Sequence, residues 1–187
     1  MEEKLLLYRV DTKYINYLKR YQKHIWDNDD KGYIRPYVGV IVKVSEYKYY
    51  VPLSSPKEKH KKMKNSLDFV KVIYKNELKA VLNINNIIPV DDSDISLVDI
   101  DNEKEDYKDL LNAEMIFIRK NSKLITNNAR SIYEKITKYK SENLSLAKRC
   151  YDFKLLEEKM EEYQDLKRKS EESLVAVTTT DKNVQAI

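Results

Sequence analysis

The chain has 187 residues, 35% of them charged and only two of them glycine, a length that supports one domain with an unstapled core and a composition that argues against a Gly-turned sandwich. A single cysteine, Cys150, excludes an internal disulfide and suits a reducing compartment. The acidic N-terminus and the lack of any long apolar run argue against a signal peptide and a membrane span, so a cytoplasmic protein is expected. The net charge of +4 is unevenly spread: residues 1–90 carry 18 Lys/Arg against 10 Asp/Glu, and residues 91–187 carry 17 against 21.

Leu5–Val10 is an apolar run of strand length. Asp11 or Thr12 can cap a short helix that sets Tyr14, Leu18 and Tyr21 on one face. The polar stretch His24–Tyr33 reads as a loop. Tyr37–Val44 and Tyr47–Val51 form a hairpin turning at Ser45-Glu46, and the returning strand ends at Pro52. Pro56–Ser66 is a lysine-rich loop or short exposed helix. Asp68–Tyr74 and Leu78–Ile84 are two further strands joined at Lys75-Asn76-Glu77, and Asn85–Val90 closes the β region. Asp91–Asp109 is acidic and reads as a solvated loop, with magnesium binding as the alternative. Ile125, Ala129, Ile132, Ile136 and Tyr139 mark one buried helical stripe, and Phe153, Leu156, Met160 and Tyr163 mark another. Strands flanked by helices without βαβ alternation predict an α+β fold with an antiparallel sheet. Residues 1–170 read as one domain and 171–187 as a flexible tail.

The chemistry concentrates where the second hairpin strand ends. Ser54, Ser55 and Lys57 follow Pro52-Leu53 directly, and five lysines fall between Lys57 and Lys64. Paired hydroxyls and a cation delivered by a sheet edge can bind and polarise a phosphate. The lysines (Lys59, Lys61, Lys62 and Lys64 after Lys57) favour a polyanion over a metabolite. Fifteen tyrosines add faces on which unpaired bases stack. RNA can be cut without metal by its own 2′-hydroxyl, and such cutting needs a base, an acid and charge stabilisation at phosphorus. Lys57 and Arg35 are the candidate cations, Ser54 and Ser55 the candidate donors. His60, Tyr14 and a serine are the candidates for proton transfer. A solvated lysine face and a Ser-Ser-Pro turn without chemistry are the plainer alternatives. Two histidines and one cysteine argue against zinc, and no cofactor fingerprint is present.

These residues resemble the ToxN/AbiQ family of RNase toxins from type III toxin–antitoxin and phage-abortive systems. Thr12–Lys19 is similar to the family's N-terminal helix. Tyr37-Val38-Gly39-Val40 and Pro52-Leu53-Ser54-Ser55-Pro56-Lys57 are similar to its hairpin and active-site loop. Asn85–Val90, Phe117–Ser122 and Leu155–Lys159 follow in the family's order. The resemblance implies a MazF/Kid-like, barrel-like twisted antiparallel sheet surrounded by helices. It implies a metal-independent, sequence-specific endoribonuclease that leaves a 2′,3′-cyclic phosphate and a 5′-hydroxyl and uses no cofactor. It further implies inhibition by a folded RNA, a pseudoknot that the toxin cuts from its own repeat transcript, in a closed protein–RNA assembly, with mRNA as the other substrate. Its site residues fall on Tyr14, Arg35, Ser54, Ser55 and Lys57. Tyr33, Lys59, His60, Lys61, Lys62 and Lys64 are the expected RNA contacts. A non-catalytic RNA-binding protein and a gyrase-directed toxin of related fold are the competing classes.

Overall fold

The computed structural model describes residues 5–25, 36–44 and 46–184. Strand β1 (Leu7–Val10) leads into helix α1 (Thr12–Lys19). The Asp11 carboxylate starts that helix by accepting the Lys13 N–H at 2.6 Å and the Tyr14 N–H at 3.3 Å. It thereby satisfies donors that a helix N-terminus leaves unpaired. Tyr14, Ile15, Tyr17 and Leu18 form the buried face of α1, whereas Tyr21 lies beyond the helix and is exposed.

Strands β2 (Pro36–Val44) and β3 (Tyr47–Ser54) form the long hairpin, with Tyr37 opposite Pro52 and Val44 opposite Tyr47. β3 continues through Pro52, where the sequence suggested a stop. The reason is a change of partner. Tyr49 and Tyr50 pair with β6 (Ile88–Pro89), whereas Leu53 and Ser54 pair with β5 (Glu77–Asn83). Pro52 falls in the gap between those two pairings, a place where a proline's missing N–H is tolerated. β4 (Phe69–Tyr74) joins β5 through a two-residue turn in which Lys75 and Asn76 have φ of 49° and 63°. Two left-handed residues match a primed turn, whose twist suits the flanking strands.

The strand order is β4-β5-β3-β2-β1-β7, with β6 on β3, and every pairing is antiparallel. Among the described residues the sheet has seven antiparallel strands and is open, so the barrel-like closure expected from the sequence is corrected. β7 (Ile95–Leu97) arises inside the acidic stretch that read as loop, and it pairs with β1. The helices are α2 (Glu58–Lys62), α3 (Glu105–Lys120), α4 (Ser122–Thr137), α5 (Leu144–Ala147) and α6 (Phe153–Val184). α4 buries Ile125, Ala129, Ile132 and Ile136 as the spacing predicted, together with Tyr133. Tyr139 drops out of that stripe because α4 ends at Thr137, and it is exposed. α6 is helical through Val184, beyond the Ser170 at which the periodicity fades.

One polar cluster fastens the helices to β3. Glu157 of α6 accepts the Tyr49 hydroxyl at 2.6 Å and the Tyr133 hydroxyl at 2.7 Å, both at Oε1. Lys154 donates to its Oε2 at 2.7 Å. The carboxylate is buried, so its charge is held by hydrogen bonds from both sides rather than by water. β3 is therefore tied to α4 and α6 at its start, five residues before it delivers Ser54.

Candidate functional site

The site is built at the end of β3. Ser54 pairs with Val81 of β5 and is buried, and the Asn83 side-chain amide donates to its Oγ at 3.1 Å. Pairing to a central strand and a side-chain donor together fix where this hydroxyl sits. Ser55, Pro56 and Lys57 then leave the sheet and are exposed. Pro56 restricts the backbone at the corner, and Lys57 stands immediately before α2. A buried hydroxyl, an exposed hydroxyl and an exposed ammonium thus lie within four residues at one sheet exit.

α2 carries the positive ridge onward. Lys59, Lys61, Lys62 and Lys64 are exposed, as their sequence predicted. Lys71 of β4 joins them, its Nζ donating to the Lys61 carbonyl at 2.8 Å. Glu58 pairs with Lys61 at 2.7 Å, but that exposed ion pair offsets little of the local charge.

His60 differs from the sequence reading. Instead of joining the exposed ridge it is 6% exposed and packs on the Phe69 ring at 5.4 Å. Its Nδ1 accepts the Lys57 N–H at 3.0 Å. Burial, and then the charges of Lys59 and Lys57, hold its pKa below the ordinary histidine value. It is a neutral internal group, not a surface contact.

Tyr14 is also placed inside. It is fully buried, its hydroxyl donates to the Pro89 carbonyl at 2.7 Å, and its ring lies 5.1 Å from Tyr163. Burial, with Asp94 and Asp91 nearby, raises its pKa well above that of a free tyrosine. A phenol held protonated and already donating is poorly suited to accept a proton. Pro89 pairs with Tyr49, and Tyr49 precedes Ser54 by five residues, roughly 16 Å of extended strand. Tyr14 is therefore attached to the sheet through a different row of β3 from the one that carries the serines. Arg35 and Tyr33 lie outside the described residues.

The acidic stretch is also accounted for. Asp94 is buried and accepts from Lys167 at 2.7 Å and from Gln164, which joins it to α6. Asp91 caps the following turn by accepting the Ser93 N–H at 2.9 Å. Among the described residues, no three His, Cys, Asp or Glu side chains converge as a metal-ligand set. None of the described helices is long and apolar enough to cross a membrane. A concavity of about 630 Å³ lies between the β4–β5 turn and α3, lined by Tyr74, Lys79, Asp109 and Ile116 among others. Its lining residue Lys79 lies two residues along β5 from Val81, the partner of Ser54, and a polymer is better held along an open ridge than in such a hollow.

Sequence reasoning missed two members of the corner. Asn83 reaches Ser54 across 29 residues, and Lys71 reaches α2 across ten. Only the pairing of β5 with β3 and β4 reveals either, so no local signal could have marked them.

The family described as Toxin ToxN, type III toxin-antitoxin system, matches residues 6–161. Endoribonuclease ToxN of Bacillus thuringiensis subsp. kurstaki is 32% identical over 163 residues, covering 83% of this chain and 82% of that protein. A solved structure concerned with selective toxin inhibition by a non-coding RNA pseudoknot in bacterial type III systems has a TM-score of 0.79 at 31% identity. That match covers 87% of this chain and 99% of the other. The structure of AbiQ, a lactococcal anti-phage endoribonuclease of the type III systems, has a TM-score of 0.76 at 27% identity, with the same coverage of both chains.

Proposed function

The chain belongs to the ToxN family of type III toxin–antitoxin systems and is an RNA-cleaving toxin, and from that premise we propose that it cuts at the β3 exit by metal-independent attack of a 2′-hydroxyl on the adjacent phosphorus. The 2′-oxygen gives up its proton and bonds to phosphorus. The bond from phosphorus to the 5′-oxygen breaks, and that oxygen takes up a proton. The products are a 2′,3′-cyclic phosphate and a 5′-hydroxyl. Ser54 and Ser55 donate to the non-bridging oxygens, and the Lys57 ammonium neutralises the charge that grows on them. Arg35, just before β2, is the second cation. Such preorganised donors are the largest single contribution in reactions of this kind.

In this reading Tyr14 pins α1 to β6 and transfers no proton in the reaction. The antiparallel sheet serves as a MazF/Kid-type platform. Lys59, Lys61, Lys62 and Lys64 hold successive phosphates along the ridge, and Tyr33 offers a face for an unpaired base. The same groove takes two kinds of RNA. One is mRNA of the cell or of an infecting phage. The other is a repeat transcript whose processed, pseudoknotted product stays bound and silences the toxin in a closed protein–RNA assembly. A toxin so restrained serves phage defence or plasmid maintenance.

What carries the proposal is the juxtaposition of Ser54, Ser55 and Lys57 at one sheet exit, continuous with an exposed row of lysines. The test is digestion of an RNA transcript in excess chelator, with the product ends identified. Cyclic phosphate and 5′-hydroxyl ends formed at an undiminished rate are expected. Cleavage abolished by the chelator, or 5′-phosphate ends, would overturn it.

A further inference from the structure

The Lys57 ammonium can act on a phosphate only if its backbone is held still, and α2 is too short to do that. A five-residue helix has almost no cooperative stability of its own. What fixes it is His60. The Lys57 N–H donates to Nδ1 at 3.0 Å, and the His60 N–H donates back to the Lys57 carbonyl at 2.8 Å. The imidazole itself is wedged against Phe69 of β4. The ring thus ties the chain at Lys57 to the sheet, while Lys71 on the Lys61 carbonyl ties the far end of α2 to β4. An imidazole that accepts at Nδ1 must be neutral, with its proton on Nε2.

Resting on the reading of Lys57 as a phosphate-binding cation, we propose that His60 is a positioning residue that locks Lys57 onto the sheet while neutral and releases it when protonated, so that RNA cleavage fails in acid. Protonation would set an Nδ1–H donor against the Lys57 N–H donor, and the bond between them would be lost. The ring's surroundings bias it toward the neutral form. Burial acts most strongly, and the charges of Lys59 and then Lys57 add to it. Around α2 the further charges are those of Lys62, Lys64, the Glu58–Lys61 pair, and Lys71 from β4 on the Lys61 carbonyl. With the closed-state pKa lowered, an opened corner binds the proton more readily than the closed one. Closure is therefore complete above the ordinary histidine value and is lost as pH falls through the lowered one.

The experiment uses the full chain under single-turnover conditions with a mixed-sequence RNA transcript. Affinity is measured separately on the same transcript made 2′-O-methyl. His60→Ala is expected to slow cleavage by about 10- to 100-fold at unchanged affinity, the usual consequence of misplacing a catalytic group by about 1 Å. His60→Asn retains an acceptor oxygen near the Nδ1 position, so it should recover most of the rate and lose the acid limb of the pH profile. Lys57→Ala with His60→Ala should be no slower than Lys57→Ala alone, since both changes remove one interaction. Additive losses, or an unchanged acid limb in His60→Asn, would overturn the role of His60. A Lys57→Ala variant as fast as wild type would instead overturn the reading of the corner on which that role rests. If His60→Ala does not fold, the pH profile of His60→Asn decides alone.

Discussion

Replacing Glu157 with Leu is the sharpest test of how β3 is held. The change removes the acceptor shared by the Tyr49 and Tyr133 hydroxyls while keeping similar volume. Both tyrosines are buried, Tyr49 completely. A buried hydroxyl left without a partner costs about 1–3 kcal/mol, so two would cost about 2–6 kcal/mol. Relief from burying a carboxylate offsets part of that loss, which leaves a net of about 3 kcal/mol. For a chain of this size, that corresponds to a fall in Tm of roughly 6–12 °C. Glu157→Gln keeps an oxygen for the tyrosines and should cost only about 1 kcal/mol. Lys154→Ala removes an exposed partner of the same carboxylate and should fall within about 1 kcal/mol of wild type. Urea and thermal unfolding of the three variants measure the ranking. A Leu variant within about 1 kcal/mol of wild type would refute the clamp.

Other consequences follow from single residues. Glu114 of α3 is buried, its Oε2 has no hydrogen-bond partner among the described residues, and burial alone pushes its pKa up to about 8. Between the ordinary glutamate value and about 8, the native state keeps a proton that the unfolded chain has lost, so stability falls as pH rises across that window. The loss is on the order of 4 kcal/mol, and Glu114→Gln should flatten it in urea midpoints taken at pH 5, 7 and 9. Asn83→Ala removes the donor that fixes Ser54 and should slow single-turnover cleavage by about tenfold, with little change in RNA affinity. Tyr14→Phe strands the Pro89 carbonyl and should cost about 1–2 kcal/mol of stability, while the cleavage rate of the folded enzyme stays within a few-fold of wild type.

Much of the fold could be read from residue order because its elements follow local rules. The β2–β3 and β4–β5 hairpins are framed by β-formers and short turns. The α4 stripe follows the 3.6 period through Ile125, Ala129, Ile132 and Ile136. β7 was hidden because three residues between aspartates carry no pattern, and pairing with β1 alone makes them a strand. The placement of Ser54, Ser55 and Lys57 at one corner was legible because they follow directly on the strand that delivers them. His60 was misread because a lone histidine among lysines looks solvated, and only Phe69, from a later strand, turns it inward. Tyr14 posed a similar problem. A tyrosine on a helix face fits a site as well as a core, and its bond to Pro89 spans 75 residues.

The central claim is that the β3 exit grips the phosphodiester being cut. Single-turnover cleavage of a bound RNA transcript by Ser55→Ala and by Lys57→Ala tests it most directly. Each variant should still bind the transcript and should cut it about 10²- to 10³-fold more slowly than wild type, the loss expected when one donor to a developing oxyanion is removed. Rates within threefold of wild type for both variants, with binding intact, would contradict the account.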